Sequence, residues 1–169
     1  EIMVKIDASG LVKSLEEFQK EAKRKLEQMT KEFCLSVIEK AAYNTPLGDA
    51  SLYPGMYQMR HAATGLEPRE GLARYGWDVA VDSSVALKEG YGRNTAEEAI
   101  AEAWGDLQSF RLGDVVLIGN KRDYVVGPLN AGTGSKQAPN GIMRPTVNQI
   151  ESVYRQDLQR MYQNASTSK

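Results

Sequence analysis

VVLIGNKRDYVVGPLNAGTGSKQAPNGIMRPT, residues 115–146, holds two apolar runs, a polar turn between them and a long loop behind. The runs cover residues 115–119 and 124–129, and the turn is Asn120, Lys121, Arg122 and Asp123. Runs rich in Val and Ile around a polar Asn/Asp turn predict a β-hairpin. Residues 130–141 are rich in Gly, Ser, Asn and Pro, which predicts a loop. Met143, Arg144 and Pro145 then open an amphipathic helix expected over about residues 145–164. Its stripe is Val147, Ile150, Tyr154, Leu158 and Met161, widened by Val153 and Tyr162. Pro145 suits the first helical position, where its missing N–H would have had no partner. A hairpin, a polar loop and a docked helix supply contact surface rather than catalytic side chains.

Immediately upstream, residues 95–110 read as a second helix. Asn94 and Thr95 offer a cap, and Thr95 with Glu98 fits the capping box T-x-x-E. Ala96, Ala99, Ile100, Ala103, Trp104, Leu107 and Phe110 make one apolar face, while Glu97, Glu98, Glu102 and Asp106 give an acidic side. Glu97 and Glu98 also suit the positive end of the helix. Gly105 costs about 1 kcal/mol against Ala in a helix interior, and close packing there is the expected reason for it. Before a turn-rich connection, residues 72–83 alternate. Trp77, Val79 and Val81 lie on one side and Asp78, Ala80 and Asp82 on the other, which predicts a half-buried strand.

Residues 11–44 contain neither Pro nor Gly. Apolar residues recur at Leu11, Leu15, Phe18, Ala22, Leu26, Met29, Phe33, Val37 and Ala41, in the steps of three and four that one helical face requires. Lys13, Glu17, Lys20, Arg24, Glu27 and Lys31 give the remaining surface its charge. Such a helix is roughly 50 Å long, so it either breaks near residues 19–21 or projects and packs against a neighbouring copy. Thr45-Pro46 ends it. Ile2, Val4 and Ile6 alternate as a short edge strand would. Residues 47–71 are punctuated by Gly48, Pro54, Gly55, Gly65, Pro68 and Gly71, yet carry Tyr53, Met56, Tyr57 and Met59. An ordered excursion that packs on something is expected there.

This order of elements predicts an α+β fold, residues 1–169 forming one domain with an irregular insertion at about 47–70. A small, mostly antiparallel sheet would pack against a long N-terminal helix, a middle helix and a C-terminal helix. A chain of 169 residues suits one domain with a real core. Its net charge of −1 supplies no global field toward DNA or a membrane. Cys34 is the single cysteine, which excludes an internal disulfide framework and a Cys-rich zinc site. No apolar run approaches the ~20 residues of a membrane span, and the first residues lack a signal-peptide core. A chain folded and used, or assembled, in a cytoplasm is expected.

Candidate chemistry is sparse. A Ser/His/Asp site would need His61, the only histidine, which lies in the irregular excursion with no G-x-S-x-G motif in the chain. No spaced ligand set for a metal stands out, and Cys34 beside the apolar stripe reads as a buried, inert thiol. Residues 131–136, AGTGSK, lack the Gly directly before Lys136 that a phosphate loop needs, so a loop that orders on a partner fits better. Glu98 and Glu102 sit one turn apart on a solvated face. Lys121, Arg122, Lys136 and Arg144 cluster around the hairpin and loop with few aromatics among them. That suits a patch facing phosphates or an acidic partner rather than base readout.

SKQAPNGIMRPTV, from Ser135 to Val147, resembles the signature loop and helix start of tailed-bacteriophage neck and tail-completion proteins, including the minor tail protein Z type of lambda-like phages. Ile118-Gly119-Asn120, Asp123-Tyr124 and the segment from Gly134 to Gly141 are similar to the strand end, following pair and loop of that family. Asn44-Thr45-Pro46 and Gly71-Leu72-Ala73-Arg74-Tyr75-Gly76-Trp77 look like its upstream corner and Gly-x-x-Arg-x-x-Trp strand. The chain departs from the pattern in the insertion at about 47–70 and in residues 125–129, which replace an acidic-Gly pair.

The resemblance implies a structural virion protein of the head–tail junction, not an enzyme, with no cofactor and no metal. It implies a ring, expected to be a hexamer, that completes the tail end and joins it to the head connector or stopper. The tail terminator or tube would lie on the other side, and DNA would pass through without specific binding. Assembly would take place in the host cytoplasm. Ser135, Lys136, Gln137, Ala138, Pro139 and Arg144 are then the candidate partner-loop residues. Glu97, Glu98 and Glu102 are the candidate channel-facing acids, since acidic walls avoid tight phosphate contacts. The competing expectations are a soluble monomeric binding or adaptor module and a metal-dependent hydrolase using Glu98, Glu102 and His61.

Overall fold

The computed structural model describes residues 9–47, 71–82, 85–88, 93–122, 125–130 and 138–167. Helix α1, Ser9–Asn44, is unbroken; with no Gly or Pro beyond Gly10, nothing interrupts its hydrogen-bond ladder. A short helix α2, Leu72–Tyr75, leads into strand β1, Trp77–Val81. Helix α3, Ala96–Leu107, precedes strand β2, Val116–Asn120. A wide helical turn spans Val125–Leu129, and helix α4 covers Met143–Thr167. The two strands pair antiparallel, from Trp77 opposite Asn120 to Val81 opposite Val116. The α+β class stands as expected: α1 packs on α3, on α4 and on the sheet, and α3 covers β1. The edge strand expected at Ile2 to Ile6 and nearly all of the insertion lie outside the described residues.

The hairpin expected around residues 120–123 does not form. Strand β2 pairs with β1 instead, and residues 125–129 curl into the wide turn, with the Val125 N–H donating to the Arg122 carbonyl and the Asn130 N–H to the Val125 carbonyl. Pro128 has no N–H for a ladder and Gly127 weakens a strand, so closing a turn satisfies this backbone better. The strand expected over residues 72–83 is also shorter. Gly71 adopts φ 82 and Tyr75 bonds back to its carbonyl, which makes residues 72–75 helical. A Cβ on Gly71 would run into the Tyr75 ring. Strand β1 is buried on both sides rather than one, because Asp78 and Ala80 are covered as fully as Trp77 and Val79.

The core joins Cys34, Ile38, Ala41 and Ala42 of α1 to Trp77, Val79, Ala103, Leu107 and Ile142. Thr45 organises the corner where α1 ends. Its hydroxyl donates to the Ala41 carbonyl at 2.7 Å and accepts the Trp77 indole N–H at 2.8 Å, while its carbonyl accepts from Arg74 Nε at 2.8 Å. One side chain thereby satisfies an end-of-helix carbonyl and fastens β1 to α1. Asn120 Nδ2 donates to the Ala73 carbonyl at 2.7 Å and holds α2 against the end of β2.

Helix α4 runs antiparallel along the C-terminal half of α1. Asn44 Nδ2 donates to Thr146 Oγ1 at 3.0 Å, and further along Phe33 meets Tyr154 edge to face, 4.7 Å between centroids. The helix begins at Met143, two residues before Pro145, which still falls in the first turn where an N–H is dispensable. Among the described side chains, Ile142, Thr146 and Ile150 are buried. Of the expected stripe, Ile150 is buried and Tyr154 meets Phe33, while Val147 and Val153 are exposed; the side chains of Leu158, Met161 and Tyr162 lie outside the described ones.

Close packing does not explain Gly105. It is exposed, and an added Cβ would meet nothing within 4 Å. Gly105→Ala is therefore expected to raise stability by about 1 kcal/mol through helix propensity alone, measurable as a higher urea midpoint with an unchanged slope.

Candidate contact surface

Helix α1 presents two faces. Lys31, Cys34, Ile38, Ala41 and Ala42 mark the face buried by its C-terminal half. At about 100° per residue, Leu11, Leu15, Phe18, Ala22, Leu26 and Met29 lie along another side, in line with Phe33 and Asn44, which meet α4. Within the chain this stripe has little cover: Leu11 is 64% exposed, Leu15 53%, Phe18 72%, Leu26 52% and Met29 42%. Residues 9–21 are exposed at every position. So large a run of uncovered apolar side chains makes this side of α1 the candidate association surface.

Two ties hold the arm to the body near its middle. Glu27 accepts the Leu112 N–H at 3.3 Å, and Lys31 Nζ donates to the Gln108 carbonyl at 3.2 Å. Lys31 is buried rather than part of the charged surface; its stem packs and its ammonium reaches the negative end of α3. On the arm itself Arg24 makes two 2.9 Å bonds to Glu21. Those bonds hold the Glu21 carboxyl down at about 2. A depression lined by Glu17, Lys20, Glu21, Lys23, Arg24 and Glu27 is formed by side chains of α1 alone and offers no enclosed seat for a ligand.

The three candidate channel acids are exposed, and each has a task inside the subunit. Glu97 accepts the Tyr43 hydroxyl proton at 2.7 Å, a bond that draws its carboxyl below the usual range and pushes the phenol up. Glu98 completes the cap: its N–H donates to Thr95 Oγ1 at 3.1 Å, and its carboxylate accepts from the Asn94 N–H, one residue further back than the standard box. Glu102 accepts from Arg93 Nε at 2.9 Å and Nη2 at 2.7 Å.

That Arg93 is the side chain the sequence did not single out. It is buried, and all five of its N–H groups are used. Besides Glu102, it donates to Asp78 Oδ1 at 2.8 Å, to the Trp77 carbonyl at 2.7 Å and to the Tyr75 carbonyl at 3.3 Å. Burial works against its charge, and the bonds to Glu102 and Asp78 more than offset that, holding the guanidinium above its ordinary value. Asp78 takes a further N–H from Lys88 at 2.5 Å. The cluster explains why an aspartate can lie in a strand buried on both sides.

Of the candidate loop residues, Ser135, Lys136 and Gln137 lie outside the described residues. Pro139 and Arg144 are exposed. Ala138 is buried within the subunit, 5% exposed. The basic patch also loses a member, since Arg122 is buried with its N–H on Asn120 Oδ1; Lys121 and Arg144 remain at the surface. Cys34 is buried, which pushes its thiol up, and His61 lies outside the described residues. Among the described residues no group of three or more His, Cys, Asp or Glu could hold a metal ion, and no described helix is long and apolar enough to cross a membrane. Comparison with protein-family models, curated proteins and solved structures finds no match to this chain.

Proposed function

We propose that the chain is a structural subunit of a phage head–tail junction, acting as a ring that completes the tail and joins it to the head while leaving a channel for DNA. The single observation that supports this most is the projecting half of α1. A monomeric protein gains nothing from some five turns of helix whose apolar stripe faces water, whereas a subunit with neighbours buries it. The resemblance of the segment from Ser135 to Val147 to the neck and tail-completion family gives the kind of assembly. A cyclic ring needs two different mating surfaces per subunit; the arm of α1 and the exposed Val147 and Val153 of α4 offer apolar area on two elements. The subunit would mate with itself, with the head connector or stopper and with the tail terminator or tube.

Imaging of particles that contain this chain tests the proposal. A ring of density between head and tail that accommodates α1 is the expected result, and loss of the chain should leave separate heads and tails. Intact, joined particles without it would overturn the reading.

A further inference from the structure

The two strands differ at their outer edges. The Asp82 N–H bonds to the Val115 carbonyl, and with the register this turns the backbone of Leu117 and Gly119 toward β1. Val116 and Ile118 then direct their own N–H and C=O groups to the other side, as alternation in an antiparallel pair requires. On β1 the outer edge is occupied: Arg93 donates to the Trp77 carbonyl at 2.7 Å, and α3 packs against the strand. On β2 no hydrogen bond among the described residues fills it. Residues 115–119, VVLIG, contain neither charge nor proline to guard it, and Val115 and Leu117 are 53% and 40% exposed. Such an edge is completed by one chemistry, an extended backbone that adds a strand.

A fitting segment lies in the same sequence. Ile2, Val4 and Ile6 alternate over a stretch with neither Pro nor Gly, and only Asp7 and Ala8 separate it from Ser9, where α1 starts. That short link decides which copy can use it. Ile6 stays within about 11 Å of Ser9. Ser9 stands about 27 Å along the helix from Glu27, which ties the arm to the body at the Leu112 N–H. Strand β2 lies further inward, with Val116 and Ile118 packed against the cluster that includes Cys34 and Ile38. The segment therefore cannot return to its own sheet, and a stiff helix holds it out toward another copy.

We propose that residues 2–6 of one copy add as a third strand to the outer edge of β2 in the next, antiparallel, the stronger pairing. Overlap with the whole of β2 sets Ile6 opposite Val116, Val4 opposite Ile118 and Ile2 opposite Asn120. The backbone of Ile6 and Val4 then meets the open N–H and C=O groups of Val116 and Ile118. The three apolar side chains extend the row of Val116 and Ile118, which are half-buried. Lys5 falls opposite Leu117, its stem on the leucine and its ammonium in water. Donor and acceptor are different surfaces of one chain, so the contact runs head to tail. It names the contact between copies in the ring proposed above and rests on that reading for closure into a ring.

The test is cysteine cross-linking between full chains that carry Lys5→Cys or Leu117→Cys, a closely spaced pair in this register that suits a disulfide. Cys34 is buried and stays out of the exchange. Mixed under mild oxidation, the two variants are expected to give a covalent dimer of unlike chains. A chain with both substitutions should give a ladder of multimers. Adding Val4→Pro removes an N–H from the new ladder and should cut the linked yield at least about tenfold, with circular dichroism unchanged. A synthetic peptide of residues 1–8 in excess should suppress linking, and the same peptide with Val4→Pro should not. No dimer in the mixture, a doubly substituted chain that links only within itself, or a Val4→Pro variant that links as well as before would overturn the proposal, as would equal suppression by both peptides. Failure to link leaves a ring in particle images untouched, and a missing ring leaves the cross-link standing, so the two readings fail separately.

Discussion

Arg93→Met is expected to lower the stability of the fold by about 3–5 kcal/mol. Methionine keeps the packed stem and removes all five donors. The bonds to Glu102 matter little to this figure, because that carboxylate is half exposed and water replaces the guanidinium. Asp78 decides it, with its side chain 1% exposed. Without Arg93, the partner that remains to its charge among the described residues is the Lys88 N–H, and a buried carboxylate left uncompensated is far costlier than a lost surface pair. The carbonyls of Trp77 and Tyr75 lose their donor as well. Arg93→Lys should recover only part of the loss, since an ammonium has three donors and no planar fork. Asp78→Asn combined with Arg93→Met should cost less than Arg93→Met alone, because the stranded charge is gone. Urea titrations of the four proteins check this, and equal losses for the single and double variants would show that the charge is not the cause.

Gly141→Ala should cost about 3 kcal/mol and loosen the start of α4. The residue has φ 74, where a side chain is strained, and an added Cβ would come within 2.0 Å of the Asn130 carbonyl oxygen. That oxygen belongs to backbone and cannot swing aside. Asn130 also accepts the Met143 N–H on its Oδ1 at 3.0 Å, so any shift that relieves the clash removes a partner from the first turn of α4. Gly113→Ala is the matched control. Gly113 has φ 105 but open space around its Cβ position, so it should cost only the conformational strain, about 1 kcal/mol. Faster amide exchange at Met143 and Arg144 in Gly141→Ala, absent in Gly113→Ala, would locate the damage at this corner.

Much of the fold could be read from residues because it rests on local rules. The steps of three and four from Leu11 to Ala41 and the absence of helix breakers specify α1, and Thr95 with Glu98 marks the start of α3. What escaped is what long-range partners decide. Residues 124–129 look like a strand until β2 takes β1 as its neighbour and leaves them no ladder to join. Asp78 reads as solvent-facing in an alternating strand because Arg93, fifteen residues on, is what permits its burial. Lys31 reads as surface charge because the carbonyl it reaches belongs to Gln108. The stripe on α1 was legible as apolar, but the pattern alone could not separate a face that packs within the chain from one left bare. Of the partner-loop residues, Ala138, Pro139 and Arg144 are described, and among these Ala138 is covered within the subunit.

The unbroken backbone of α1 has a mechanical consequence. Its outer end and its inner end belong to one stiff beam, with neither proline nor glycine to act as a joint between Leu11 and Thr45. A push on the tip is therefore not absorbed along the way. It arrives as torque at the Thr45 corner, where the Trp77 indole and the Arg74 guanidinium are anchored, so whatever grips the arm also has leverage on the sheet.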